Sequence, residues 1–273
     1  MTEPEREGLR DRWALILGAS SGFGAATARA LAQAGMHIFG VHLDRRSTIQ
    51  RAAAVVADIE AGGRRARFFN TNAADERRRR RVIGQITEEL AGSPQGVLHL
   101  LVHTLAFGSL RPFIADDPGE ETTEAQLEMT LRVMAHSLVY WTQDLVRAGL
   151  LGRGSRIYAL TSAGSERVIN SYGAVSAAKA ALESHARQLA LELAPRGMAV
   201  NCLMPGVTDT PALRAIPEHR EILAEVEARH PAGRLTTPED VARSLVALAD
   251  PRLTWISGAV IPVDGGERIL GIG

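Results

Sequence analysis

Short apolar runs alternate with longer amphipathic segments along this 273-residue chain. Residues 13–18, WALILG, are apolar and close on a glycine, which predicts a strand buried on both faces. Residues 23–35, FGAATARALAQAG, have helical spacing and end at Gly35, as a helix C-terminus should. Further strands are expected at 36–43, 66–70, 96–103, 155–162, 198–206 and 258–266. Further helices are expected at 47–61, 74–91, 122–149, 172–195 and 237–250. The last helix opens on Thr237 as N-cap, with Pro238 first and Asp240 in its first turn. This alternation predicts βαβ units with right-handed crossovers, and so a doubly wound parallel sheet in one α/β domain over 1–273. Residues 207–235 break the rhythm. They carry scattered prolines and helical pieces bearing Leu213, Ile216, Ile222, Leu223 and Val226, and are expected to form an apolar substrate lid.

Composition narrows the class. Apolar residues make up 45% and aromatic residues 4%, so the core should be aliphatic and rich in alanine. Basic and acidic residues balance at 31 each, so no net field draws the chain to nucleic acid or to a membrane surface. The run ERRRRR (76–81) lies on a predicted helix whose buried stripe is Val82, Ile83, Ile86 and Leu90. It therefore reads as a solvated face. Cys202 is the single cysteine, which rules out an internal disulfide and favours a reducing compartment. The charged N-terminus lacks a signal-peptide apolar stretch, and no run reaches the roughly 20 apolar residues of a membrane span. A soluble cytoplasmic protein is expected. The eight histidines show no metal-ligand spacing.

Among the 31 basic residues, Lys179 alone is a lysine. Arginine is planar and always charged, whereas lysine is a slim cation whose pKa shifts readily. A chain biased to arginine that keeps one lysine points to a slot that arginine cannot fill. Tyr172 lies two helical turns earlier and shares a face with it.

The stretch LGASSGFGAAT (17–27) joins the first strand to the first helix. Gly18, Gly22 and Gly24 let the backbone turn tightly and leave the helix N–H groups open to a pyrophosphate. Ser20, Ser21 and Phe23 complete that loop. After the second strand, VHLDRRST (41–48) offers two chemistries. Asp44 would hold a ribose 2′-hydroxyl and favour NADH, while Arg45 and Arg46 would hold a 2′-phosphate and favour NADPH.

The glycine spacing and the order of these motifs resemble the short-chain dehydrogenase/reductase family over about residues 12–270. The resemblance implies a Rossmann-type fold and an adenine contact at Asn72. It also implies a nicotinamide and phosphate loop at Pro205, Gly206, Val207, Thr208 and Thr210. The usual members carry Tyr-x-x-x-Lys, but Val175 stands at that tyrosine position. Met134 stands at their helix asparagine, and LVHTLAFG (101–108) replaces their Asn-Asn-Ala-Gly. These departures are similar to the enoyl-acyl-carrier-protein reductases, whose Tyr-x6-Lys matches Tyr172 and Lys179; the tail 208–240 looks most like the FabL type. That branch implies Thr104, Leu105 and Ala106 beside the cofactor, Tyr172 as donor to a thioester enolate oxygen, and Lys179 on the nicotinamide ribose. Ser162 stands at the usual catalytic serine position. The resemblance further implies NADPH as cofactor with NADH possible, an acyl-carrier-protein or coenzyme A thioester as substrate, and a homotetramer built through 122–149 and 172–195.

Two rival readings stand beside this one: a carbonyl or hydroxysteroid-type reductase with a re-sited tyrosine, and a non-catalytic dinucleotide-binding regulator. His103 is equally readable as a site contact or as a core residue, and His136 reads as structural. The arginine run has a lesser reading as a dock for acidic carrier protein.

Overall fold

The computed structural model describes residues 8–91 and 96–269. Seven strands form one sheet: β1 (Trp13–Leu17), β2 (His37–His42), β3 (Ala66–Asn70), β4 (Leu98–His103), β5 (Arg156–Leu160), β6 (Ala199–Pro205) and β7 (Val260–Val263). Every pairing is parallel and the order is β3-β2-β1-β4-β5-β6-β7. The chain leaves β1 toward one edge, then returns to β4 on the other side. This reversal opens a crevice at the carboxyl ends of β1 and β4, where open α/β sheets bind ligands.

The helices are α1 (Gly22–Gln33), α2 (Ile49–Ala61), α3 (Glu76–Leu90), α4 (Glu124–Leu131), α5 (Ser137–Arg147), α6 (Gly173–Leu193), α7 (His219–Arg229) and α8 (Pro238–Leu248). Among the described residues, none is long and apolar enough to cross a membrane. Alternate residues of β1 explain the two cores. Trp13, Leu15 and Leu17 face a cluster shared with α3, α5 and α6. Ala14 and Ile16 face the cluster shared with α1, α2 and α8. The cores are mainly aliphatic, as the composition predicts, yet Trp13 and Trp141 are their largest buried side chains. Trp13 stacks on Phe39 at 4.2 Å, and Trp141 Nε1 donates to the Ala73 carbonyl at 2.9 Å.

Three local expectations need correction. The helix at 122–149 is not continuous, because a π-helical turn over Arg132–His136 separates α4 from α5. The helix at 172–195 begins at Gly173, with Tyr172 as its N-cap residue. The arginine run is not wholly solvated: Arg79 is buried, donates to Asp144 at 2.7 Å and lies over the Tyr140 ring. The other four arginines of the run are exposed. Thr237 and Asp240 form a reciprocal capping box with Pro238 between them, as their sequence suggests.

Candidate functional site

The glycine loop is tightly packed, Gly24 against the Gly18 backbone and Gly18 against Thr104. A Cβ at Gly24 would lie 2.0 Å from the Gly18 carbonyl oxygen, and one at Gly18 would lie 2.6 Å from Thr104 Oγ1. Gly18 has φ +97° and Gly22 φ +50°, in the left-handed region that favours glycine. Thr104, after β4, ties the loop down by donating from Oγ1 to the Leu17 carbonyl at 2.8 Å. Ser21 is the extended N-cap of α1 and its side chain caps nothing. The helix therefore keeps its N-terminal N–H groups for an anion, whereas α3, α4 and α8 fill theirs with Asp75, Thr123 and Thr237. Phe23 packs its ring on the core below. The cradle has the shape and the free donors that a dinucleotide pyrophosphate needs.

The loop after β6 closes over this cradle. Thr210 lies 3.7 Å from where a Gly22 Cβ would stand. Thr208 and Thr210 are buried; Thr208 Oγ1 donates to Gly206 O at 2.9 Å, and Thr210 Oγ1 accepts from Leu213 N. Val207 N donates to Glu267 Oε2 at 2.7 Å, and a Gly206 Cβ would meet Thr236 and Glu267. Pro205 ends β6 below them. Residues beyond this loop form a short turn at Leu213–Ala215 and then α7, which buries no residue. Of the five apolar lid positions only Ile216 is buried, and Leu213, Ile222, Leu223 and Val226 are half-buried.

At the far end of the crevice, Asp44 is held in a compact network. His42 Nδ1 lies 2.8 Å from its carboxylate, and Asn70 bonds its backbone N–H and C=O at 2.9 and 3.0 Å. Burial works to raise the Asp44 pKa, but the Thr48, Ser20 and His42 side chains outweigh it and hold the group below its usual value. Arg45 and Arg46 are exposed beside it, and among the described residues neither guanidinium has a hydrogen bond or ion pair. Asn72 is folded back, its Oδ1 accepting from Ala74 N at 2.9 Å. Asn70, which the sequence did not single out, is the asparagine that braces the Asp44 turn.

The reactive end lies between β5 and α6. Ser171 takes φ +56°, a strained value for a serine, immediately before Tyr172. That turn lays the Tyr172 ring against Gly164, where a Cβ would come within 2.6 Å of Cε1. The phenol faces the Ser162 hydroxyl. Burial raises its pKa more than Ser162 lowers it, so Tyr172 stays protonated at neutral pH and is available as a donor. Ser162 Oγ accepts from Gly164 N at 3.1 Å.

Lys179 is buried, two turns along α6, and its Nζ donates to the Leu160 carbonyl at 2.6 Å. Burial pushes its pKa down to about 8. Val175 and Met134 are members of the hydrophobic core cluster, at 5% and 2% exposure. Leu105 packs on that core and Ala106 is exposed. His103 belongs to the core rather than the site surface. It is fully buried, Nε2 lies 2.8 Å from Ser137 Oγ, and burial pushes its pKa down to about 3. His136 pairs with His185 at 2.9 Å, a structural contact between the π turn and α6.

Glu183 is the residue at this end that sequence reasoning missed. It is a buried acid on α6 whose Oε1 accepts from Thr161 and Ser165. The available signal was an acidic residue one turn beyond Lys179 on an otherwise apolar stripe that includes Leu182 and Ala186.

Comparison with known proteins gives the same outline. Residues 18–267 match the family model described as enoyl-(acyl carrier protein) reductase. The chain is 30% identical over 273 residues to cis-4-hydroxycyclohexanecarboxylate dehydrogenase of Sinomonas cyclohexanicum, spanning 95% of this chain and 98% of that one. It is 31% identical over 179 residues to the enoyl-[acyl-carrier-protein] reductase [NADH] FabI of Bacillus cereus, spanning 64% of this chain and 67% of that protein. A short-chain dehydrogenase from Burkholderia cenocepacia, solved in complex with NADP, superposes with a TM-score of 0.80 at 30% identity, covering 96% of this chain and 99% of that one.

Proposed function

Because the chain belongs to the short-chain dehydrogenase/reductase family, we propose that it reduces the trans-2 double bond of an enoyl thioester with NADPH. The observation that carries this reading is the placement of Tyr172 at the N-cap of α6, beside Ser162 and two turns before the buried Lys179, while Val175 packs in the core. The donor thus sits at the start of α6, a turn further from the lysine than a four-residue spacing would place it. That position suits an acceptor at the remote end of a conjugated system, where charge collects on the thioester oxygen.

The nicotinamide cofactor, when bound, supplies the hydride for the β-carbon. The residues of this chain do the rest. Gly18, Ser20, Ser21, Gly22, Phe23 and Gly24 hold the pyrophosphate, and Lys179 holds the nicotinamide ribose hydroxyls. Tyr172 donates a hydrogen bond to the forming enolate oxygen, worth about 3 kcal/mol for a well-placed donor. Leu213, Ile222, Leu223 and Val226 shield the acyl chain from water. Arg45 and Arg46, exposed and with no ion pair among the described residues, support NADPH, since the Asp44 carboxylate is already bonded to His42. The substrate is carried on acyl-carrier protein or coenzyme A, and the working form is a homotetramer.

One observation favours a second reading. The Tyr172 phenol faces the Ser162 hydroxyl, as it would in a carbonyl reductase that has moved its tyrosine. Loss of reduced-cofactor absorbance separates the two. Crotonyl and longer trans-2-enoyl thioesters are run against a ketone panel, each with NADPH and NADH. Turnover of the thioesters with NADPH is expected; turnover of ketones alone would replace this reading with the second.

A further inference from the structure

Ser162 and Lys179 stand on different elements, and one side chain on the helix of Lys179 bonds to the residues around Ser162. Glu183 lies one helical turn beyond Lys179 on α6 and is buried. Its Oε1 accepts from Thr161 Oγ1 and, at 2.8 Å, from Ser165 Oγ. These two residues flank the Ser162–Gly164 segment that supports the Tyr172 ring. The Ser165 hydroxyl also reaches the Ser162 carbonyl at 2.8 Å, so its single proton serves one of two acceptors at a time. Ordinary core packing does not call for a carboxylate here: burying one costs several kcal/mol unless it is well bonded.

We infer that Glu183 is a positioning residue with two duties: it clamps the 161–165 turn to α6, and it keeps the buried Lys179 ammonium charged. The inference rests on the reading of Lys179 as the cation of a reductase site.

The electrostatic duty follows from the neighbours of Lys179. His103 faces it from β4, Cys202 from β6 and Glu183 from its own helix; Arg187, a turn further along α6, faces Cys202. His103 is neutral, since burial pushes it down to about 3. Burial pushes the Cys202 thiol up to about 12, so it too is neutral while Lys179 titrates. Glu183, one helical turn away on the same buried face, is then the charged group that joins the Leu160 carbonyl in offsetting the desolvation of the ammonium. A lysine with a lowered pKa is charged below that value and loses its charge as pH rises through it. Removing the carboxylate therefore moves the loss of charge to lower pH.

The test uses the single lysine of the sequence and needs no substrate. Protein labelled with ε-13C lysine gives one lysine resonance, which is followed against pH in the wild type and in Glu183→Gln. The midpoint is expected to fall by about half a pH unit or more in the variant, and Glu183→Asp, which keeps the charge, should restore it. Exchange of the Gly164 and Ser165 amides should quicken by about tenfold or more in Glu183→Gln. If Glu183→Gln does not fold, Ser165→Ala carries the test through the same amide exchange, expected to quicken by several-fold. An unchanged lysine midpoint in Glu183→Gln, or unchanged amide exchange in the variant that folds, overturns the inference. Failure to turn over enoyl thioesters would not touch it, because the titration reads Lys179 directly.

Discussion

The two ends of the crevice are held by different means. At the glycine loop the chain packs on its own backbone, Gly24 against the Gly18 carbonyl, with Thr104 as the clasp. At the β5–α6 junction the fit is made by side chains: the Tyr172 ring on Gly164, and Glu183 on Thr161 and Ser165. A backbone contact has no rotamer with which to escape an intruding atom. A side-chain contact can yield by turning away. Substitution should therefore be unforgiving at the first end and graded at the second.

Gly24→Ala breaks the comparison hardest. Its methyl would stand 2.0 Å from a carbonyl oxygen, so a stability loss of about 3 kcal/mol or more is expected in denaturant unfolding, with loss of reduced-cofactor binding. Val175→Tyr comes next. It restores the four-residue spacing to Lys179 but must fit a ring where a Gly108 Cβ would already lie 3.1 Å from Val175. A cost of about 1–3 kcal/mol is expected, with no gain of ketone turnover. Replacing both Arg45 and Arg46 by alanine should weaken NADPH about tenfold while leaving NADH near its original affinity, read by cofactor fluorescence. Gly164→Ala is the mildest. Its methyl meets the Tyr172 ring at 2.6 Å, but the ring can shift, so stability should fall by only about 1 kcal/mol while turnover drops more clearly.

The same contrast explains what could be read from the sequence. Backbone demands leave glycines at fixed places, so Gly18, Gly22 and Gly24 announced the cradle, and the apolar runs announced all seven strands. The Thr237–Asp240 cap was equally legible, because capping chemistry is local. Long-range side-chain partners were not. Nothing adjacent to Arg79 in the chain points to Asp144, 65 residues away, and Glu183 meets Thr161 only once β5 and α6 are packed. The π turn at Arg132–His136 also left no periodic mark, since one widened turn barely shifts a helical stripe. Asn70 was equally silent in the sequence, because its bonds to the Asp44 backbone form only once β2 and β3 are paired.

Tyr172 is the residue proposed to act as donor in the reductase site. The direct measurement is Tyr172→Phe, assayed for enoyl-thioester turnover and, in parallel, for NADPH binding by fluorescence. Turnover is expected to be lower by about 10²–10³-fold with cofactor affinity unchanged. Turnover that survives the loss of the phenol hydroxyl would contradict that role.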